Sequence, residues 1–349
     1  MTKKQKAPNE PPSQKNKDDL PIDWKGKWET TKKVLKQSKV TGVSVINGVI
    51  GDHLERFDIG LSRDMQFYKS GNPISISKPD LKQMGVSGKI CILVHGLVSD
   101  ETMWQFSGST NDYGSLLSKD LNYTPFYTRY NSGRHISDNG KDLDLLIETL
   151  IKNAPGSIKE IVFICHSMGG LVTRSACYYG GKRKAKWVQL TKKILFIGSP
   201  HHGAPLEKFG NLVTTVLDKI PNPFVFLTKK AINLRSAGIK DLRYGLLVEE
   251  DWKGKDPDSF ANSEKTHVPL LPHTQYYVIT GTVMKNPNHF LSQFFGDAIV
   301  GKWSAKGKSG NSKYDLTFSE KHIREFPGIH HIQLMHDERV YEQVRDWMK

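Results

Sequence analysis

The sequence predicts an α/β protein whose sheet is mainly parallel and covered by helices on both faces. Three observations carry that expectation. Apolar, β-branched runs recur along the chain, as in Ile90-Cys-Ile-Leu-Val94, Ile161-Val-Phe-Ile-Cys165 and Ile194-Leu-Phe-Ile197. Strands buried on both faces read as such continuous runs, whereas a strand with one wet face alternates. Helical patterns separate many of the runs, which is the βα alternation of a parallel sheet. The length, 349 residues, suits one large domain, and no low-complexity linker divides it.

Taken in order, residues 1–17 are rich in Lys, Asn, Gln and Pro with no apolar core, and read as a disordered basic tail. They lack the apolar stretch of a secretory signal. Residues 18–349 form the expected domain. It opens with a helical or partly helical segment over 25–61, whose small and branched residues at 43–50 suit packing beside the core. Strands are expected at 74–78, 89–95, 124–130, 161–166, 192–198 and 275–283. Helices are expected at 113–120, 140–153, 168–180 and 334–349. The helix at 140–153 has start signals in Ser137, Asp138 and Asn139, followed by Leu143, Leu145, Leu146 and Leu150. The stretch 206–272 is too long for a simple connection between strands and reads as an inserted helical cap or lid.

Composition narrows the partners. The formal charge is +14, and residues 1–39 carry eleven Lys against five acids, a net of +6. More positive charge lies in Lys182-Arg183-Lys184-Lys186 and from Lys302 to Lys308. A basic surface attracts anionic lipid headgroups or nucleic acid. No nucleic-acid motif accompanies it, which leaves a solvated face or a weak association with an anionic membrane surface. No stretch approaches the roughly 18 consecutive apolar residues of a membrane span. The three cysteines, Cys91, Cys165 and Cys177, all lie in apolar segments. An odd number in such places is no disulfide framework and fits reduced thiols in the cytoplasm.

The chemistry gathers where strands end. After Ile161 to Cys165 a helical pattern begins at about Met168, so Ser167 sits at a strand-to-helix corner with small residues at 169 and 170. Such a nucleophile elbow lifts one hydroxyl above the sheet edge, at a helix N-terminus that favours developing negative charge. The pattern G-x-S-x-G is met in part, because Cys165 takes the place of the first glycine. Upstream, Val94-His-Gly-Leu97 ends another buried strand. Gly96 lets backbone approach a reacting carbonyl, so the Leu97 N–H can stand beside the Met168 N–H as an oxyanion hole. His95 is expected to brace this loop.

Ser199-Pro-His-His-Gly-Ala-Pro205 follows a third strand, at the carboxyl edge where ligands bind in such sheets. Adjacent histidines off a helix seldom face one ion, so His201 and His202 read as loop braces and no metal is expected. Asp297, after Gly296 and ahead of an apolar pair, suits a carboxylate that fixes an imidazole tautomer. Glu325-Phe-Pro-Gly-Ile-His-His-Ile-Gln-Leu334 offers two imidazoles, His330 and His331. A histidine there completes the chain order Ser, Asp, His.

Together these segments resemble the α/β-hydrolase superfamily, in its lipase-like branch of bacterial triacylglycerol lipases and GPI inositol-deacylase-like proteins. The resemblance runs over about residues 74–349 and rests on His95-Gly96, Cys165-His-Ser-Met-Gly-Gly-Leu-Val172, Ser199-Pro-His-His-Gly203, Gly296-Asp297 and His331-Ile-Gln-Leu334. It implies the α/β-hydrolase fold with an inserted helical cap. In that branch the active histidine often precedes an apolar residue by three positions and a Val-Tyr pair by about nine. His331, Leu334 and Val340-Tyr341 match, so the resemblance assigns the base to His331 and keeps His330 in reserve. Gly301-Lys302 departs from the family's usual Pro-Val.

The implied activity is hydrolysis of a carboxylic ester, small or lipid-like, by Ser167, Asp297 and His331 with no cofactor. An acyltransferase would use the same triad, and a non-catalytic binding module could share the fold. The intact triad residues argue against the module.

Overall fold

The computed structural model describes residues 64–106, 108–154, 158–204, 236–255, 264–282 and 300–349. The expected tail at 1–17 and the segment at 25–61 lie outside the described residues.

Eight strands form one sheet: β1 (Gln66–Lys69), β2 (Asn72–Pro73), β3 (Lys89–Val94), β4 (Thr124–Arg129), β5 (Glu160–His166), β6 (Thr191–Ile197), β7 (Gln275–Thr282) and β8 (Ile323–Pro327). Their order across the sheet is β2-β1-β4-β3-β5-β6-β7-β8. From β4 to β8 every pairing is parallel, and β1 pairs antiparallel with both β2 and β4. The order reverses beside β3, whose neighbours β4 and β5 both follow it in sequence. That switch point opens a crevice at the carboxyl edge.

The apolar runs divide between the two faces by the two-residue period of a strand. Ile90, Ile92, Val94, Ile161, Phe163, Cys165, Ile194, Phe196 and Val278 face one core. Helices α3 (Ile136–Asn153) and α4 (Met168–Lys182) cover it with Leu143, Ile147, Leu150, Leu171, Val172 and Ala176. Cys91, Leu93, Val162, Ile164, Leu195, Ile197, Tyr277 and Ile279 face the other. There α2 (Tyr113–Leu121) and the terminal helix α8 (Glu338–Met348) supply Tyr113, Leu117, Val340, Tyr341, Val344 and Met348. Helices over both apolar faces are why the central strands show no polar alternation.

Several expected boundaries move, each for a physical reason. Residues 74–78 are not a strand. β1 and β2 make a hairpin before them, and α1 (Lys78–Met84) begins at Lys78. Ser77 caps that helix by accepting the Asp80 N–H, and Pro79 sits in its first turn, where no N–H is needed. α3 starts at Ile136, four residues ahead of the expected 140. Its cap comes from a distant residue, Asp241, whose Oδ2 accepts the Ile136 N–H at 2.8 Å. The short α5 (Lys186–Leu190) precedes β6. β8 carries Arg324, Glu325 and Pro327 and gave no apolar run; as an edge strand it needs only one paired side. The terminal segment 334–349 divides into a 3₁₀ turn at Gln333–Met335 and α8, capped by Asp337 through the Arg339 N–H.

Of the stretch 206–272 expected as a cap, the structure describes 236–255 and 264–272. Leu242 on α6 (Ala237–Tyr244), with Leu247, Val248 and Val268 further along, is buried in the same core as α3 and α4. Asp241 also holds His135 Nδ1 at 3.0 Å, and His135 stacks on Trp252 at 3.5 Å. This part of the stretch is body, fastened at the head of α3. The remainder lies outside the described residues. A short α7 (Lys302–Ala305) precedes β8.

Candidate active site

The elbow is built first by the sheet. The Ser167 N–H donates to Ile197 O at 2.9 Å, so the β5–β6 ladder runs one residue past His166 before the chain turns. Ser167 then adopts φ 52°, ψ −124°, outside the basins that side chains favour, and Met168 starts α4. A strained non-glycine residue at a strand end is a candidate functional position. Ser167 Oγ does not cap its own helix. The Gly170 N–H donates to Ser167 O at 3.1 Å, and the N–H groups of Met168 and Gly169 have no helix carbonyl behind them and point beyond the helix start.

Small residues are a steric demand here. A Cβ on Gly169 would lie 2.3 Å from Val94 O and 2.5 Å from His95 O, and one on Gly170 would lie 2.2 Å from Ser199 Oγ. The head of α4 therefore rests on the backbone at the end of β3. Cys165, in the motif's first glycine place, causes no conflict. Its side chain turns into the core, with Sγ 3.1 Å from Thr173 Oγ1, and burial pushes its thiol up and away from reactivity.

Across the gap, β3 ends in His95-Gly96-Leu97. The His95 ring stacks on Tyr130 at 4.2 Å, its Nδ1–H donates to Gly96 O at 2.8 Å, and Tyr130 donates to His95 O at 2.7 Å. Burial pulls its pKa down to about 4, so it stays neutral. His95 is a brace. Gly96 stands so close to the elbow that a Cβ there would lie 3.0 Å from Ser167 Cβ. Gly96, from the end of β3, thus stands across from Ser167. Val98, left-handed at φ 61°, donates its N–H to Ser132 Oγ at 3.1 Å, and the buried Glu101–Arg129 ion pair anchors the loop behind it.

The two histidines after β6 separate. The buried His201 ring packs on Phe196 and Phe318, neither ring nitrogen has a hydrogen-bond partner among the described residues, and burial holds its pKa well below the usual value. His202 donates Nε2–H to Gly307 O at 2.8 Å. Ser304 ties this loop to α7, accepting from the His202 N–H and donating to Gly203 O. Arg174, buried on α4, donates to Val268 O at 2.8 Å and to His201 O at 3.5 Å. Burial lowers its pKa to about 10, leaving it a cation that binds carbonyls. Sequence reasoning gave Arg174 no role.

The expected base arrives from the far end of the chain. Beyond β8 the Gly328 N–H donates to Thr282 O at 2.7 Å, which returns the loop to the sheet's carboxyl edge. His331 is buried and His330 exposed. The Nε2 of His166 lies 3.3 Å from His331 O, and the two rings sit 4.7 Å apart, so His331 is brought beside the residue that precedes Ser167. Asp297 lies outside the described residues. Two other acids near these segments are engaged elsewhere: Asp315 with Ser309 and Lys308, and Asp337 with Arg339.

His166 was not anticipated as a site residue. Its parity with Val162 and Ile164, which face the α8 side, was the available signal.

The sequence matches a family model described as the PGAP1-like alpha/beta domain over residues 87–267, just over half of the chain. The chain belongs to this family. The span takes in β3, the elbow and the 199–204 loop. The fold is the α/β-hydrolase fold, with its mainly parallel eight-stranded sheet and helices on both faces. Similar solved structures include lipase B from Aspergillus fumigatus, at 13% identity and TM-score 0.45, covering 82% of this chain. This chain spans 56% of that lipase. A thermophilic esterase from Thermogutta terrifontis is 17% identical with TM-score 0.41, over 75% of this chain and 90% of the other. An esterase from Pyrococcus furiosus is 16% identical with TM-score 0.42, over 75% and 84%. No curated protein matches the sequence.

Proposed function

We propose that this chain is a serine hydrolase of carboxylic esters. The observation that carries the reading is Ser167, a strained serine at a helix N-terminus, with the buried His331 delivered beside the same strand end. In this reading Ser167 Oγ attacks the acyl carbonyl while His331 takes its proton. Asp297 orients the imidazole, and the N–H groups of Leu97 and Met168 receive the oxyanion. The alcohol leaves with the proton returned by His331. Water, activated by the same imidazole, then releases the acyl group from Ser167. The first N–H groups of α4 supply the positive end of the helix dipole.

An acyl ester of apolar, lipid-like character is the substrate class we favour. Trp303 is 62% exposed and Ile332 43% exposed, large apolar surfaces on the segments that carry Ser304 and His331. The basic surface suits a weak association with anionic membrane lipids. No described helix is long and apolar enough to cross a membrane. The buried free thiols of Cys91, Cys165 and Cys177 suit a reducing compartment, and we read the chain as cytoplasmic.

A chain-length series of p-nitrophenyl esters, with and without detergent micelles, tests the reading. Expected is turnover that rises with acyl length, together with fluorophosphonate labelling mapped to Ser167. Label that maps elsewhere, or no turnover of any ester, overturns it.

A further inference from the structure

The residue before Ser167 is a histidine that the proposed reaction does not use. His166 is buried at the end of β5, between the loop that carries Gly96 and the loop that carries His331. On one side its Nε2 lies 3.3 Å from the main-chain oxygen of His331. A carbonyl only accepts, so Nε2 carries the proton and Nδ1 is the bare nitrogen. On the other side Nδ1 has no hydrogen-bond partner among the described residues and would lie 3.1 Å from a Cβ on Gly96. The ring therefore sits between the two loops, and its Nε2–H grips the backbone of the proposed base.

From this geometry we infer that His166 is a positioning residue: its Nε2–H fixes the main chain of His331, so that the His331 imidazole meets Ser167. The inference rests on the reading of Ser167 and His331 as nucleophile and base. Burial, with the neighbouring His331 adding to it, holds the His166 pKa well below the usual value. A neutral His166 suits the task. It keeps one tautomer through the cycle, and it places no second cation beside His331 when that ring takes the serine proton. The sequence places the donor one residue from the nucleophile, so elbow and base loop are coupled by a single side chain.

The test separates the donor from the ring. His166→Phe keeps an aromatic spacer and removes the N–H, whereas His166→Gln returns an N–H at nearly the same reach. The readouts are fluorophosphonate labelling rate, kcat and KM on a p-nitrophenyl ester, and thermal midpoint, all in the full chain. For His166→Phe we expect labelling and kcat to fall about tenfold to a hundredfold, the scale of a small misplacement of a catalytic group. KM should stay within about twofold, the ratio expected when uniform binding is untouched. His166→Gln should recover most of that loss.

Normal kcat in His166→Phe overturns the inference. So does equal damage in Phe and Gln variants of unchanged thermal midpoint, because the ring's packing would then be what matters. If His166→Phe fails to fold, a His166→Gln rate below a tenth of wild type also overturns it. Failure of the underlying reading looks different: the wild-type chain itself would not label at Ser167.

Discussion

The elbow and the loop that carries His331 both lie at the carboxyl edge of the sheet, the first buried throughout and the second exposed except at Ile329 and His331, and they are held there by different means. At the elbow the constraints are backbone contacts. Gly169 and Gly170 leave no room for another atom against β3 and Ser199, and the ladder from β6 grips Ser167 itself. The histidine loop buries Ile329 and Leu334 in the core on the α8 side, and its backbone is set by a few directed bonds: Gly328 N–H to Thr282 O, Leu334 N–H to His330 O, His330 N–H to Gln333 Oε1, and His166 to His331 O. Close packing admits one arrangement, because interiors are dense and a misfit of one carbon is felt. Directed bonds leave a loop that single donors and acceptors can retune. Steric constraints of the first kind write themselves into local sequence, and the second kind do not.

The largest expected effect removes the hydroxyl that the elbow presents. Ser167→Ala should lower ester hydrolysis by on the order of a million-fold with the fold intact, as losing a nucleophile does in comparable enzymes. Circular dichroism checks the fold, and retained fluorophosphonate labelling would sink the assignment. Next, Asp297→Asn should lower turnover by roughly four powers of ten with little change in thermal midpoint, since a wrong tautomer costs rate without unfolding. A near-normal rate would move the role to another acid.

On the histidine loop, His331→Ala should cost at least about a thousand-fold more activity than His330→Ala. Neighbouring side chains diverge, and of the two only His331 is buried at the strand ends. The reverse order of damage would transfer the role to His330.

Smaller effects probe the packing side. Gly169→Ala should destabilise the protein by about 1–3 kcal/mol, because the added carbon meets main-chain oxygens that cannot swing aside. The equivalent change at Gly181, which has open space around it, should be close to neutral. Equal denaturation midpoints for the two variants would undo the contrast between the regions.

The smallest effect is in pH. His95, with its pKa near 4, and His201, held well below the usual value, are buried and neutral beside the elbow. In the unfolded chain they take up protons near pH ~6.5. Their share of stability is whole above that value and is lost as pH falls below it, for His95 down to about 4, because the unfolded state then binds protons that the folded state refuses. Each contributes a slope of at most about 1.4 kcal/mol per pH unit. His201→Phe, whose ring would rest on Phe196 and Phe318, should flatten the stability curve below pH ~6.5 in denaturant titrations. An unchanged slope would mean that His201 does not stay neutral in the fold.

The sequence by itself determined the five central strands, β3 to β7, and the elbow. Runs such as Ile161 to Cys165 could only be strands buried on both faces, and Ser167 followed by Met168-Gly-Gly could only turn at their end, because strand period, apolar burial and glycine's small size act over a few residues. It also determined that His95 and His202 would brace their loops, whereas His201, expected as a second brace, packs on Phe196 and Phe318 with neither ring nitrogen hydrogen-bonded among the described residues. Tertiary structure decided the rest. β8 shows no apolar run because an edge strand needs none. α3 begins at Ile136 because Asp241, 105 residues away, supplies its cap. Residues 236–255 join the core because their apolar side chains meet α3 and α4, a meeting that no local pattern announces. The seat of His331 beside His166 depends on a return of 165 residues to one carbonyl, and a hydrogen bond between such distant positions leaves no period in the sequence to read.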